Sequence, residues 1–132
     1  MADTVIVSRE SRSSNIVDIL EYYSNAAITT GTAKKEWVPG FYGRILDVII
    51  DSETANSGEA TDIADINING TTIYTTQGNR PTLPTLDTGM WGEAAEPEVV
   101  TFEPDDIISL DIDQIATTGS ARVKVAILLG RR

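Results

Sequence analysis

TDIADININGTTIYTT, residues 61–76, decides how this chain folds. Ala64, Ile66 and Ile68 alternate with Asp65 and Asn67, the period of a strand that is apolar on one face and polar on the other. Asn69-Gly70 follows, and both residues accept the positive φ that a type I′ turn requires. TTIYTT then returns along the partner strand. Asn-Gly between alternating segments is a strong short-range hairpin signal, so antiparallel sheet is the local structure from which the rest is built.

The same alternation recurs to either side. RILDVIID, from Arg44, sets Leu46, Val48 and Ile50 against Ile45, Asp47 and Ile49. DIISLDID points Ile108, Leu110 and Ile112 inward and Ser109, Asp111 and Asp113 outward. ARVKVAILL sets Val123, Val125, Ile127 and Leu129 against Arg122, Lys124 and Ala126, and VVTFE is a brief additional strand. Between the hairpin and VVTFE lies a long connection, residues 77–98, through which Pro81 and Pro84 exclude a central strand. Short strands, tight turns and one long crossover predict an all-β antiparallel sandwich. Jelly-roll or Greek-key wiring is expected ahead of an up-and-down barrel.

The first third reads differently. TVIVS, Thr4 to Ser8, is β-branched and apolar, and SRESRSS is polar without a period. This predicts an extended N-terminal arm. Ile16, Val17, Ile19, Leu20 and Tyr23 stand at helical spacing behind Ser14 or Asn15 as N-cap, which predicts a short helix from Ile16 to Ser24, although Ile, Val and Tyr are also good strand residues. TTGTAKKEWVPGFYG, punctuated by Gly31, Pro39, Gly40 and Gly43, reads as loop. The expected organisation is an arm with its short helix over residues 1–36 and a sandwich domain over residues 37–132.

The chain's 132 residues fit one domain. It has neither cysteine nor histidine, which excludes disulfides, thiol chemistry, Ser-His-Asp machinery and the usual transition-metal sites. No apolar run approaches the roughly 20 residues that span a bilayer, so no membrane partner is expected. MADTVIVSRESRSS has no secretory-signal pattern, so the chain is expected to be made in the cytoplasm and to stay there, or to leave by lysis or assembly. The net charge of −10 is uneven: Met1 to Ile45 balances five acids with five bases, whereas Leu46 to Asp113 carries fifteen acids against one base, Arg80. Such a body repels phosphate backbones, so nucleic acid is not an expected partner.

Paired carboxylates are the catalytic option that remains. Asp111 and Asp113 project from one strand face, about 7 Å apart along the backbone, but acids on exposed strand faces are ordinarily solvated, and no catalytic residue is assigned. Calcium is the only cofactor left open, because Asp62, Asp65, Asp105, Asp106, Asp111 and Asp113 could converge as oxygen ligands. Their spacing is not that of an EF-hand loop, and no metal site is assigned. Trp37 and Trp91 could stack on sugar rings, or seal the ends of a small core. Arg80 is expected to pair with neighbouring carboxylates. Val5 to Val7 suit strand addition to another chain's sheet edge.

GRILDVIID, DININGTTIYTTQGNRPTLP and DDIISLDIDQIATTGSARVKVAILL together resemble small β-sandwich domains in virion structural proteins of tailed bacteriophages. The resemblance runs from Gly43 to Leu129. It implies a jelly-roll-like module that forms homotrimers on the particle exterior, as capsid cement or decoration proteins do, with related modules in head and tail fibres. The family is not known for a catalytic set, so none is carried over. Fibre subunits normally add a coiled-coil or β-helical shaft, and this chain has neither heptads nor repeats. The expected role is therefore a cement protein that binds the major capsid protein on the outside of the shell and bridges neighbouring capsomers. The alternative is a fibre or receptor-binding module recognising host-surface carbohydrate. The expected contacts with capsid or sister subunits are Val5, Ile6, Val7, Arg9, Arg12, Lys34, Lys35 and Trp37.

Overall fold

The computed structural model describes residues 16–58, 60–83, 91–93 and 95–132. Within them the chain forms β1 (Ile16–Ser24), β2 (Gly31–Trp37), β3 (Gly43–Thr54), β4 (Asp62–Ile68), β5 (Thr71–Thr72), β6 (Thr82–Leu83), β7 (Trp91–Glu93), β8 (Thr101–Phe102), β9 (Ile108–Gln114) and β10 (Ala121–Arg131). Two antiparallel sheets result. The first has the order β1-β10-β3-β7, with β8 also on β3, and the second has the order β2-β9-β4-β5, with β6 also on β4. Sequence neighbours are mostly placed in opposite sheets. The hairpin at Asn69-Gly70 keeps β4 and β5 together, with φ of 52° and 83° at its two turn residues.

The inward side chains of both sheets make one core. Ile45, Val48 and Ile50 of β3 and Val123, Val125, Ile127 and Leu129 of β10 face Ala64 and Ile66 of β4 and Ile108, Leu110 and Ile112 of β9. Beyond β5 the alternation stops: Ile73 and Tyr74 are adjacent and both fully buried. The chain turns inward there, and the Ile73 carbonyl accepts from the amides of Glu98 and Val99. Phe41 and Phe102 close one end of the core edge to face, centroids 5.4 Å apart.

Residues 16–24 are not a helix but a strand paired with β10, Leu20 opposite Ile127 and Tyr22 opposite Val125. β-branched and aromatic side chains lose rotamer freedom in a helix and pack well on a pleated surface. The helical spacing arises because this strand carries apolar side chains on both faces, Ile19 and Tyr23 outward and Leu20 and Tyr22 inward, with an irregular pairing between Ile16 and Asp18. Likewise Gly31–Trp37 is a strand on β9 rather than a loop. The sandwich therefore takes in residues on the N-terminal side of Trp37, since both strands belong to its sheets. The arm residues themselves, 1–15, lie outside the described residues.

Candidate functional site

Two surfaces gather the chemistry-bearing side chains. One is the outer face of the second sheet, where the polar residues of β4 and β9 meet: Asp65 lies opposite Asp111 and Asn67 opposite Ser109. Although they point away from the core, Asp65 and Asn67 are only 6% exposed. Each carboxyl there has an internal partner. The Thr72 hydroxyl donates to Asp65 at 2.7 Å, the Asn67 amide to Asp111 at 2.9 Å, and the Ala33 backbone N–H to the other Asp111 oxygen at 2.8 Å. Arg80 pairs with Asp113 at 2.7 Å and also donates to the Gln77 carbonyl, as its isolation among acids leads one to expect.

Burial raises the Asp65 carboxyl above its ordinary value, and the Asp113 charge adds to this; the Thr72 hydroxyl and the Arg80 charge oppose it. A carboxyl held toward its neutral form across from a second one is the kind of pair that acid–base chemistry on a glycoside uses. The hydrogen bonds point elsewhere. Both Asp111 oxygens accept from within the chain, one of them from the irregular start of β2, so the network fastens an edge strand to the sheet. Asp111 and Asp113, neighbours on one face, are drawn to different partners.

The remaining acids are dispersed. Asp62, at the start of β4, is fully buried and accepts from the Ala116 amide at 2.8 Å, the Ser120 amide at 2.9 Å and the Ser120 hydroxyl at 2.7 Å. It staples the β9–β10 loop, which in turn holds the β1–β2 connection: the Ile28 amide donates to Ser120 and the Arg122 amide to Asn25. Gly119 is required there because a Cβ would collide with the Ile28 carbonyl. Asp106 sits beside the hairpin turn, accepting from the Glu103 amide and the Asn69 carboxamide, and these bonds lower its carboxyl below the usual range. Among the described residues no group of three or more acids is arranged to hold a metal ion.

The second surface mixes exposed apolar side chains with charges, among them a Glu21–Lys124 ion pair at 3.2 Å. β1 is an edge strand whose outward Val17, Ile19 and Tyr23 are 46%, 47% and 57% exposed. Leu128, Ala126 and Ile49 continue this face across β10 and β3. Of the contact residues expected from sequence, Val5, Ile6, Val7, Arg9 and Arg12 lie outside the described residues. Lys34 turns back to the Thr29 hydroxyl at 3.1 Å, Lys35 is exposed in mid-strand, and Trp37 packs partly against the core. Trp91 lies in β7, paired with Asp51 of β3. Sequence reading missed the exposed β1 edge because it placed the same residues in a short helix. It missed the Asp62 staple because Asp62 looks like any acid at a strand start.

No protein-family model, no curated protein and no solved structure matches this chain.

Proposed function

We propose that this chain is a decoration, or cement, protein of a tailed-phage capsid, bound to the major capsid protein on the outside of the shell as a homotrimer. The carrying observation is the strand order, β1-β10-β3-β7 against β2-β9-β4-β5 with sequence neighbours mostly in opposite sheets. This order supports a jelly-roll-like reading of the sandwich, an architecture shared by viral capsid and lectin domains. Fold alone assigns no function, so the reading also rests on the surface. Residues 1–15, which include the apolar Val5, Ile6 and Val7, precede β1 in the sequence, and β1 has no strand on its outer edge among the described residues and exposes Val17, Ile19 and Tyr23 around Glu21.

An apolar arm and an open edge are the two halves of strand addition between chains, with main-chain hydrogen bonds for affinity and alternate side chains for specificity. Several such contacts around one trimer reinforce each other through effective concentration, and can bridge capsomers although each is weak. The test is occupancy. Purified particles should carry the chain at a copy number set by the shell's threefold positions, and deletion of Met1–Ser14 should abolish binding to empty shells. Unchanged occupancy of the deletion variant would overturn the anchoring role of the arm.

A second reading is favoured by one observation, the exposure of the Tyr23 and Tyr42 rings, at 57% and 58%. Exposed rings on a jelly roll suit host-surface carbohydrate, the work of a fibre or receptor-binding module. Glycan binding that is lost in Tyr42→Ala, with the protein at a fibre tip rather than on the shell, would select it.

A further inference from the structure

Asn69-Gly70 is the only Asn-Gly pair in the sequence, and its turn does more than reverse the chain. The Asn69 side chain reaches across to the turn that precedes β9. Its amide nitrogen donates to Asp106 Oδ1 at 2.9 Å, and its amide oxygen accepts from the Ile107 N–H at 2.9 Å. The Asn69 backbone N–H donates to the Ile107 carbonyl at 2.8 Å. Asp106 is itself fixed by the Glu103 N–H on its other oxygen, at 2.8 Å. Every polar atom of the Asn69 carboxamide is thus tied to the 103–107 turn, while Asn69 and Gly70 are both exposed to water.

Asn followed by Gly carries intrinsic chemistry. The Gly70 backbone nitrogen, unhindered by any side chain, can attack Cγ of Asn69. The new N–Cγ bond closes a five-membered succinimide, the Cγ–Nδ2 bond breaks, and ammonia leaves carrying the proton lost by Gly70. Water then opens the ring. Addition at Cγ gives aspartate, and addition at the Asn69 main-chain carbonyl gives isoaspartate with the backbone rerouted through the side chain. No oxidant or cofactor enters. The reaction does require the carboxamide to rotate until Cγ meets the Gly70 nitrogen, and the bonds to Asp106 and Ile107 oppose that rotation. A Cβ at Gly70 would meet open space, so bulk does not protect the site.

We propose that Asn69-Gly70 is a latched self-modification site, in which Asp106 and the Ile107 amide hold the carboxamide off the Gly70 nitrogen, and that release of this latch converts Asn69 to aspartate or isoaspartate. Conversion changes the charge at the turn. It replaces a donor by a carboxylate at hydrogen-bond distance from the Asp106 carboxylate, turning an attraction into a like-charge contact. The 103–107 turn is thereby uncoupled from the β4–β5 hairpin. The modification is irreversible, so it records how often the hairpin end has opened.

The full chain is incubated folded at mildly alkaline pH, and residue 69 is followed by peptide mass analysis that separates aspartate from isoaspartate. Asp106→Ala, checked for native circular dichroism, should deamidate about tenfold faster than the parent, the factor expected for losing one charge-assisted hydrogen bond. In urea the two should react at one rate, faster than either folded protein. Equal folded rates for parent and variant, or a folded parent as fast as the unfolded chain, overturn the latch. The product is tested separately: Asn69→Asp should lower the melting temperature in the parent background and much less in Asp106→Ala. A penalty equal in both backgrounds would show that Asp106 does not oppose the product and would overturn the uncoupling.

Discussion

The outer strand of the first sheet and the outer strand of the second differ in register, charge and backbone. β1 runs in unbroken register with β10 from Asp18 to Ser24 and exposes Val17, Ile19 and Tyr23. β2 loses register with β9 between Gly31 and Lys35, holds Ala33 at a φ of 48°, and carries Lys34 and Lys35. Bulges and lysines are the devices by which sheets keep edges from pairing with other chains, and a long, regular, apolar edge invites such pairing. Among the described residues, the β2 edge is therefore the more guarded and the β1 edge, although it carries Asp18 and Glu21, the more regular and apolar. For a protein proposed to work by contact, the difference indicates which side of the sandwich does the work.

The comparison breaks most severely where both edges share an anchor. Asp62 holds the β9–β10 loop, and that loop holds the segment joining β1 to β2. Asp62→Ala leaves buried donors on Ala116 and Ser120 unmatched, and should cost about 3 kcal/mol or more in urea unfolding. Amide exchange should accelerate at Ile28 and Arg122, beside both edges. A loss below about 1 kcal/mol would mean that water replaces the carboxyl without penalty.

Next in size is the inner side of β1. Leu20 is 7% exposed and belongs to the core, so Leu20→Ala should destabilise by about 2 to 3 kcal/mol. Lys35→Ala on β2 should stay within about 0.5 kcal/mol. Equal effects would mean that β1 is a loosely held flap, not a structural strand with one functional side.

The outward side of β1 should behave in the opposite way. Ile19→Lys supplies the lysine that β2 already has, and should leave stability within about 0.5 kcal/mol while abolishing shell binding and self-association in sedimentation. Loss of fold rather than of binding would sink the division of labour between the two faces of this strand.

Legibility in the sequence followed the regularity of the strands. The inward residues of β9 and β10, and Val48, Ile50, Ala64 and Ile66, were readable from alternation, whereas a register shift on β3 buries Ile45 in place of the expected Leu46. β1 and β2 were not, for different reasons. β1 carries apolar side chains on both faces, Ile19 and Tyr23 outward and Leu20 and Tyr22 inward, which imitates helical spacing, and β2 loses register between Gly31 and Lys35. The candidate site suffered similarly. Arg80 could be assigned acidic partners from charge alone, but its choice of Asp113, and the contact of Ala33 with Asp111, depend on long-range register that the sequence does not display locally. Asp62 and Asp65 look alike as letters; one is a buried staple and the other an outer-face group with a raised carboxyl.

That raised carboxyl gives the smallest and most specific test, because Asp65 lies opposite Asp111, the residue that fastens β2. A carboxyl whose folded value is raised contributes stability that is fully present below its unfolded value, near the ordinary 3.9 for aspartate, and lost as pH rises through the folded value. At neutral pH, Asp65 is therefore a charge that the fold tolerates rather than welcomes. Asp65→Asn keeps an oxygen to accept from the Thr72 hydroxyl and removes the charge. The variant should be more stable than the parent at pH 7, and the advantage should shrink as pH falls toward the ordinary aspartate range. Asp106, whose carboxyl is lowered, has the opposite sign: its contribution is lost as pH falls, so Asp106→Asn should be the less stable protein at neutral pH and converge with the parent in acid. If the charge at Asp65 also strains the fastening of β2, amide exchange at Ala33 should slow in Asp65→Asn while exchange along β1 stays unchanged. A uniform change on both strands would mean that the two edges are coupled through the core, and that their difference in exposure does not extend to their dynamics.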